Sequence, residues 1–383
     1  MKVIISCCGW FHARHAAFVT EKSSMLSLYI TTNLRYSKVS PKLTKKIPLI
    51  ENIHAYGIKL TPYPLRQLTG DYLNRIKKAI FDELVSKYVD RNSRIFHGFT
   101  ALQPKCYKKA KDFGMKTIID WAIAHPQYNE NILSEEYKLY RIQLRKEGKY
   151  WRERKSKEFA EADFIMVPSG FVKDTFIAMG GDKEKIIVNP FGVDLSMFYP
   201  KKKTDNKFRI IFATSLMPRR GIIYLLQAVK ELRLKNSELL LVGGIRPEYE
   251  KVMKAVLHKY SGLFRYVKWT PHSELVDYYS NASIFVNPSL SEGSSYWVYE
   301  AMACGIPGIV TPNAGTVIRD GVEGYIFPIR NVQGLKEKIL LLYENEEFRQ
   351  HMGRNALETA KRMTWEAYGE RLINSYKQIC GDK

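Results

Sequence analysis

Two carboxylates and a run of very small residues mark the stretch best suited to chemistry. Glu292 precedes Gly293-Ser294-Ser295, and Glu300 stands eight residues after Glu292. The small residues fall where the strand-like run 283–286 hands over to a helix. There the backbone N–H groups of Gly293, Ser294, Ser295 and Tyr296, together with the helix dipole, make a site for an anion. At ~1.5 Å per residue the carboxylates stand roughly 12 Å apart along a helix axis. That spacing suits two hydroxyl-bearing groups at opposite ends of a diphosphate-bridged molecule. A lone Glu in such a place is more often a solvated side chain before a buried helix, but here a longer pattern surrounds it.

To present such a turn the chain must supply a parallel α/β framework, and short apolar runs do alternate with amphipathic stretches. Residues 3–6, 93–96, 116–120 and 164–167 read as strands in the first half, and 72–87 and 135–161 as helices. Strand-like runs recur at 208–213, 238–242, 283–286, 308–310 and 325–327, with helices at 222–235, 247–258 and 273–279. The 383 residues exceed what one core usually serves. The break falls in the polar, charged segment 199–207. The expected fold class is α/β, with two Rossmann-like domains of similar size.

Composition is ordinary for a globular protein, at 45% hydrophobic and 26% charged, which excludes disorder, collagen and a disulfide miniprotein. A net charge of +21 points to an anionic partner: nucleic acid, an acidic membrane or a phosphorylated substrate. Nucleic acid fits the charge, but helix-turn-helix, zinc-finger and RNP-type patterns are absent, so none is expected. Residues 138–157 hold nine Lys or Arg and two Glu, with Tyr140, Tyr150 and Trp151 interleaved. They read either as a docking face for acidic lipid headgroups or as a solvated helix face. Five Cys without a C-x-x-C pair suit free thiols in a reducing, cytoplasmic compartment. The N-terminal apolar run is too short for a signal peptide. No stretch of about 18 apolar residues is present, so any membrane contact is peripheral.

The stretch from Asn287 to Pro307 resembles the E-x7-E signature of the retaining, family-4-type glycosyltransferases. Its flanks match too: Pro288-Ser289 before it, Asn313-Ala314-Gly315 and Asp320-Gly321-Val322-Glu323-Gly324 after it. The resemblance covers most of residues 160–383. Ala213-Thr214-Ser215-Leu216-Met217-Pro218-Arg219-Arg220-Gly221 looks like that family's phosphate loop, with Arg220 where a Lys is usual. A guanidinium can hold phosphate oxygens bidentately. Ser215 replaces a frequent Arg and Ser295 a second Gly, which leaves the donor's identity open and motivates an alternative: a non-catalytic sugar-nucleotide or glycan binder with the same fold.

The resemblance implies the GT-B fold, in which two Rossmann-like domains face each other across a cleft. Residues 1–200 would form the acceptor-side domain, joined by a C-terminal helix within 364–383, and 201–363 the nucleotide-sugar domain. It implies transfer of a sugar from a nucleotide-diphosphate sugar to a glycan or lipid-linked acceptor, without a cofactor; no D-x-D motif is present, so no metal site is expected. Glu292 would face the donor sugar and Glu300 the ribose. Arg219, Arg220, Gly9 and the 293–296 turn would hold the diphosphate. His125, after the predicted strand 116–120, is the candidate active-site histidine; its alternative is an idle loop His before Pro126. His97 ends another strand and reads as a core or loop histidine.

Overall fold

The computed structural model describes residues 1–9, 12–34, 37–47, 66–99, 103–142 and 148–382. Among them, seven parallel strands form the first sheet: β1 (Val3–Cys7), β2 (Leu26–Thr31), β3 (Thr44–Lys46), β4 (Ile95–Phe99), β5 (Lys116–Asp120), β6 (Phe164–Val167) and β7 (Ile186–Val188). Their order is β3-β2-β1-β4-β5-β6-β7. Six more form the second: β8 (Phe208–Ala213), β9 (Ser237–Val242), β10 (Phe264–Val267), β11 (Ile284–Asn287), β12 (Gly308–Val310) and β13 (Gly324–Ile326). These run β10-β9-β8-β11-β12-β13. The central strands β1 and β8 are buried at every residue. Helices on both faces require that, and it explains why these strands read as largely apolar runs, Arg209 of β8 being buried in ion pairs with Asp205 and Glu238.

Each sheet reverses strand order once, at β1/β4 and at β8/β11. A crevice opens outside the carboxyl ends of the strands at such a switch point. In both domains the chain leaving the first strand, at Gly9 and at Thr214, lines one shared cavity. Two α/β domains facing across a cleft are therefore observed, as expected.

The helices of the first domain are α1 (Ala13–Lys22), α2 (Arg66–Ser86), α3 (Pro104–Asp112), α4 (Pro126–Leu139), α5 (Lys149–Glu161) and α6 (Gly170–Ala178). The second carries α7 (Ile222–Leu232), α8 (Glu250–Lys259), α9 (Leu275–Ser280), α10 (Tyr296–Ala303), α11 (Val332–Glu344) and α12 (Glu346–Arg362). Then α13 (Trp365–Cys380) buries Tyr368, Leu372 and Tyr376 against Val3, Ile95 and Ile118 of the first sheet.

The single helix expected over 135–161 is two. Tyr140 caps α4, and Arg141 takes a left-handed φ of 52°, which ends the helical path. Residues 143–147 of the basic stretch lie outside the described residues. In α5, Trp151 is buried in the first domain's core, with Arg75 over the Tyr150 ring at 4.6 Å. Of the adjacent aromatics Tyr150 and Trp151, Trp151 faces the core and Tyr150 stays exposed. Among the described residues no helix is long and apolar enough to cross a membrane. All five cysteines are unpaired.

Helix α4 clasps the second domain. Arg330 pairs with Glu135 at 2.8 Å and Glu136 at 3.3 Å, and donates to the Ile132 carbonyl at 2.9 Å. The Tyr224 hydroxyl donates to Glu136 at 2.7 Å, and the Tyr137 and Tyr249 hydroxyls meet at 2.7 Å. Burial raises the pKa of Glu136, while Tyr224 and Arg330 pull it back.

Candidate active site

The turn after β11 is held from both domains. The Glu292 N–H donates to the Asn313 carbonyl at 3.0 Å, and the Ser169 hydroxyl, from the first domain, donates to the Gly293 carbonyl at 2.6 Å. A Cβ at Gly293 would lie 1.6 Å from the Ala122 carbonyl oxygen, so only glycine lets the two domains approach this closely. Helix α10 starts at Tyr296, and its N-cap Ser295 makes no capping hydrogen bond. The first N–H groups of a helix lack intrahelical partners. Here they are not supplied by the cap, and they lie beside residues that line the cavity. Because α10 begins only at Tyr296, Glu292 precedes the helix. The axial 12 Å spacing expected from the sequence therefore does not apply between the two carboxylates.

Arg219 and Arg220 end a 3₁₀ turn, Pro218–Arg220, after β8. Gly221 follows at φ 68°, where a Cβ would strike the Pro288 carbonyl; this close approach brings the arginines onto the β11 loop. Arg219 Nη1 donates to the Ser291 carbonyl at 2.8 Å and to Glu292 Oε1 at 2.7 Å. Arg220 Nη1 contacts the same Glu292 oxygen and lies 3.3 Å from Ser295 Oγ. Burial lowers the Arg220 pKa to about 10, against the pull of Glu292, so the group stays a cation at neutral pH. Its Nε is buried without a hydrogen-bond partner among the described residues. Two cations thus share one carboxylate, and a donor remains unused.

Glu300 sits one turn into α10. It accepts from the Tyr279 hydroxyl at 3.0 Å and pairs with His272 Nε2 at 2.8 Å. That hydrogen bond to Glu300 raises the His272 pKa against the effect of burial. Ser294 and Tyr299 share a hydroxyl–hydroxyl contact of 2.9 Å, and burial pushes the Tyr299 phenol up to about 12. The Tyr296 ring stacks on Phe191 of the interdomain stretch, with centroids 4.6 Å apart.

These groups line a cavity of about 710 Å³ between the domains. It brings together Gly9, Arg220, Glu292, Gly293, Ser294, Ser295, Tyr296 and Glu300. Arg219 stands behind it, on Glu292. Trp10 and Phe11, next to Gly9, lie outside the described residues.

His125 does not line the cavity. Pro126 starts α4, so His125 becomes the helix cap: Nδ1 accepts from the Gln127 N–H at 3.3 Å, and its own N–H donates to Thr175 Oγ1 at 2.9 Å. The ring packs edge-on to Phe176 at 4.9 Å, and burial lowers its pKa to about 4. His97 is wholly buried, with Nδ1 2.7 Å from the Tyr376 hydroxyl. The histidines at the cavity are His12, His15 and His272. His12 Nε2 lies 3.0 Å from Asp120 Oδ1. The sequence reading missed this pair. The available signals were a His just after the first glycine loop and an Asp closing a predicted strand.

Residues 197–359 match the family model described as glycosyl transferases group 1. An uncharacterized glycosyltransferase of Methanocaldococcus jannaschii is 29% identical over 207 residues, 54% of this chain and 56% of that protein. The chain spans about half the length of the curated relatives it matches. The sucrose-phosphate synthase of Thermosynechococcus elongatus superposes over the whole of both chains with a TM-score of 0.74 at 18% identity. The fold is GT-B. Anabaena HepE, solved in complex with UDP-glucose, shares it at a TM-score of 0.66 and 14% identity, over 98% of this chain and 99% of that one.

Proposed function

We propose that the protein is a retaining, metal-independent glycosyltransferase. It moves a sugar from a nucleotide-diphosphate sugar to a hydroxyl of a cell-envelope, polysaccharide or lipid-linked glycan. The observation that carries this reading is Arg220 in the interdomain cavity beside the uncapped start of α10, with Arg219 behind it on the same Glu292 and the Arg220 Nε unused. The match of the second domain and the UDP-glucose held by HepE support it.

Breaking the glycosyl–phosphate bond sends its electron pair to the diphosphate while the sugar becomes oxocarbenium-like. Preorganised cations and N–H groups at the leaving group lower that barrier. Arg220, Arg219 and the 293–296 turn supply them. The Glu292 carboxylate pairs with both guanidinium groups, so a phosphate competes with it for them and frees it for the sugar hydroxyls. Glu300 takes the ribose hydroxyls. The acceptor hydroxyl attacks the anomeric carbon from the face the diphosphate leaves, and its proton passes to the departing phosphate oxygen. The +21 charge favours work at an acidic surface, the cytoplasmic face of a membrane.

Thermal stabilisation by a panel of UDP-, GDP- and ADP-sugars identifies the donor. Cleavage or transfer of that donor, abolished in Glu292→Ala with the fold intact, is the expected result. Donor binding without turnover in the wild type instead selects a non-catalytic sugar-nucleotide binder, the reading that the departures at Ser215 and Ser295 favour.

A further inference from the structure

A second cavity, of about 410 Å³, lies in the second domain and shares no lining residue with the interdomain one. It is lined by the chain just before β11 and β12, where Ala282, Ile306 and Pro307 give it an apolar part. The cavity therefore lies at the amino ends of those strands, whereas the Glu292 turn leaves the carboxyl end of β11. The rest of the lining comes from the interdomain linker at Pro200, Lys201 and Lys203 and from the first turns of α12. Small-molecule sites commonly have volumes of roughly 300–1,000 Å³, with apolar walls and a few placed polar groups.

The charge around this cavity is one-sided. Lys201, Lys203, Arg349 and Arg354 line it, against a single carboxylate, Glu346. Lys201 is matched by Asp277 at 2.6 Å. The other three are poorly matched. Arg349 lies 3.8 Å from Glu346, whose side chain is 72% exposed, and uses one donor on the Leu342 carbonyl. Lys203 Nζ donates to Ser283 Oγ at 2.8 Å and to the Lys207 carbonyl, and among the described residues it has no ion pair. An ammonium carries three donors. One therefore remains, on an atom held beside Ser283, itself part of the lining. Arg354 makes no hydrogen bond or ion pair among the described residues. Burial lowers the Arg349 pKa more than Glu346 raises it. It also lowers that of Lys203, with Arg209 and Arg349 pressing the same way and Asp205 and Glu346 against. Partly buried cations left under-neutralised favour an anion beside them.

We propose that this cavity binds a soluble phosphate monoester, its phosphate held by Lys203, Arg349 and Arg354 and its organic body lying on Ala282, Ile306 and Pro307. A planar guanidinium takes two phosphate oxygens and an ammonium takes another. The apolar part of the lining selects an ester over inorganic phosphate. The ligand ties the interdomain linker to α12 at the end of the second domain away from the proposed transfer, so it is neither donor nor acceptor. The site stands whether or not the chain is a transferase.

The probe is phenyl phosphate, titrated by calorimetry beside inorganic phosphate and beside phosphatidylcholine vesicles containing phosphatidic acid. The wild type should bind the ester more tightly than inorganic phosphate. Arg354→Glu changes an exposed side chain and should weaken the ester about tenfold, the worth of one charge-assisted hydrogen bond. Lys203→Met should do the same. Arg220→Ala removes a cation from the interdomain cavity, and Lys202→Glu alters an exposed neighbour that does not line the second one; both should bind the ester as the wild type does. A wild type that takes up no ester overturns the proposal, as does an affinity unchanged in both Arg354→Glu and Lys203→Met. A loss in Arg220→Ala assigns the ester to the interdomain cavity, and a loss in Lys202→Glu as large as in Arg354→Glu reduces the effect to general charge; either overturns it. Equal affinity for inorganic phosphate overturns the choice of an ester, and binding of the vesicles alone makes the occupant a lipid headgroup and overturns the choice of a soluble one.

Discussion

Replacing Gly293 with Ala probes how closely the two domains must meet. Gly293 is not among the described glycines with positive φ, so the substitution adds no backbone strain of its own. Its effect comes from the new Cβ, which falls 1.6 Å from the Ala122 carbonyl oxygen across the cleft, against a closest real approach of 3.0 Å. The turn or the facing domain must therefore retreat by roughly 1.4 Å, and the Ser169 bond to the Gly293 carbonyl stretches with it. A misplacement of about 1 Å costs about 100-fold in rate, or about 2.7 kcal/mol of barrier. We expect kcat/KM for the donor that the wild type uses to fall by that factor. Binding of the free nucleoside diphosphate should fall by less than turnover, because Arg219, Arg220 and Glu300 lie outside the displaced 293–296 turn. The assay is steady-state release of nucleoside diphosphate beside calorimetry. A variant with wild-type kcat/KM, or one whose diphosphate binding falls as far as its turnover, would refute the reasoning.

Other consequences can be measured directly. The His272 pKa is raised above 6.5 chiefly by its hydrogen bond to Glu300. The stability this contact adds is therefore complete below about pH 6.5 and is lost as pH rises through the raised value. The melting-temperature gap between wild type and His272→Ala should shrink over that rise; a gap independent of pH contradicts the assignment. Arg330→Ala leaves Glu136 buried without its cation and should cost about 3 kcal/mol in urea denaturation, much of it recovered by adding Glu136→Gln; an unchanged midpoint would show that the clasp between α4 and the second domain contributes little. Co-sedimentation with acidic liposomes at low salt, abolished at high salt, is expected from the charge; its absence at low salt removes the membrane contact.

The two-sheet frame was legible because central strands such as β1 and β8 are largely apolar runs. β3 was not: it is a three-residue edge strand, and Lys45 and Lys46 are exposed. Nor was β10, a short edge strand whose residues are at most half-buried. The arginine loop and the Glu292 turn could be read because each is local in the chain, and their meeting follows from β8 lying beside β11. The pairing of His12 with Asp120 could not, since β4 stands between β1 and β5 and the two residues come together only through the sheet. His125 misled for a converse reason: Pro126 makes it a helix cap, a role decided by packing against α6.

Helix α13 has a consequence for synthesis. Its three buried side chains complete the core around β1, yet it is translated after the whole second domain. The nascent first domain therefore waits with an apolar face uncovered, and His97 waits for the Tyr376 hydroxyl. Domains made in order usually fold in order. Here the later one can finish first, and the earlier one is sealed only when the ribosome has passed both.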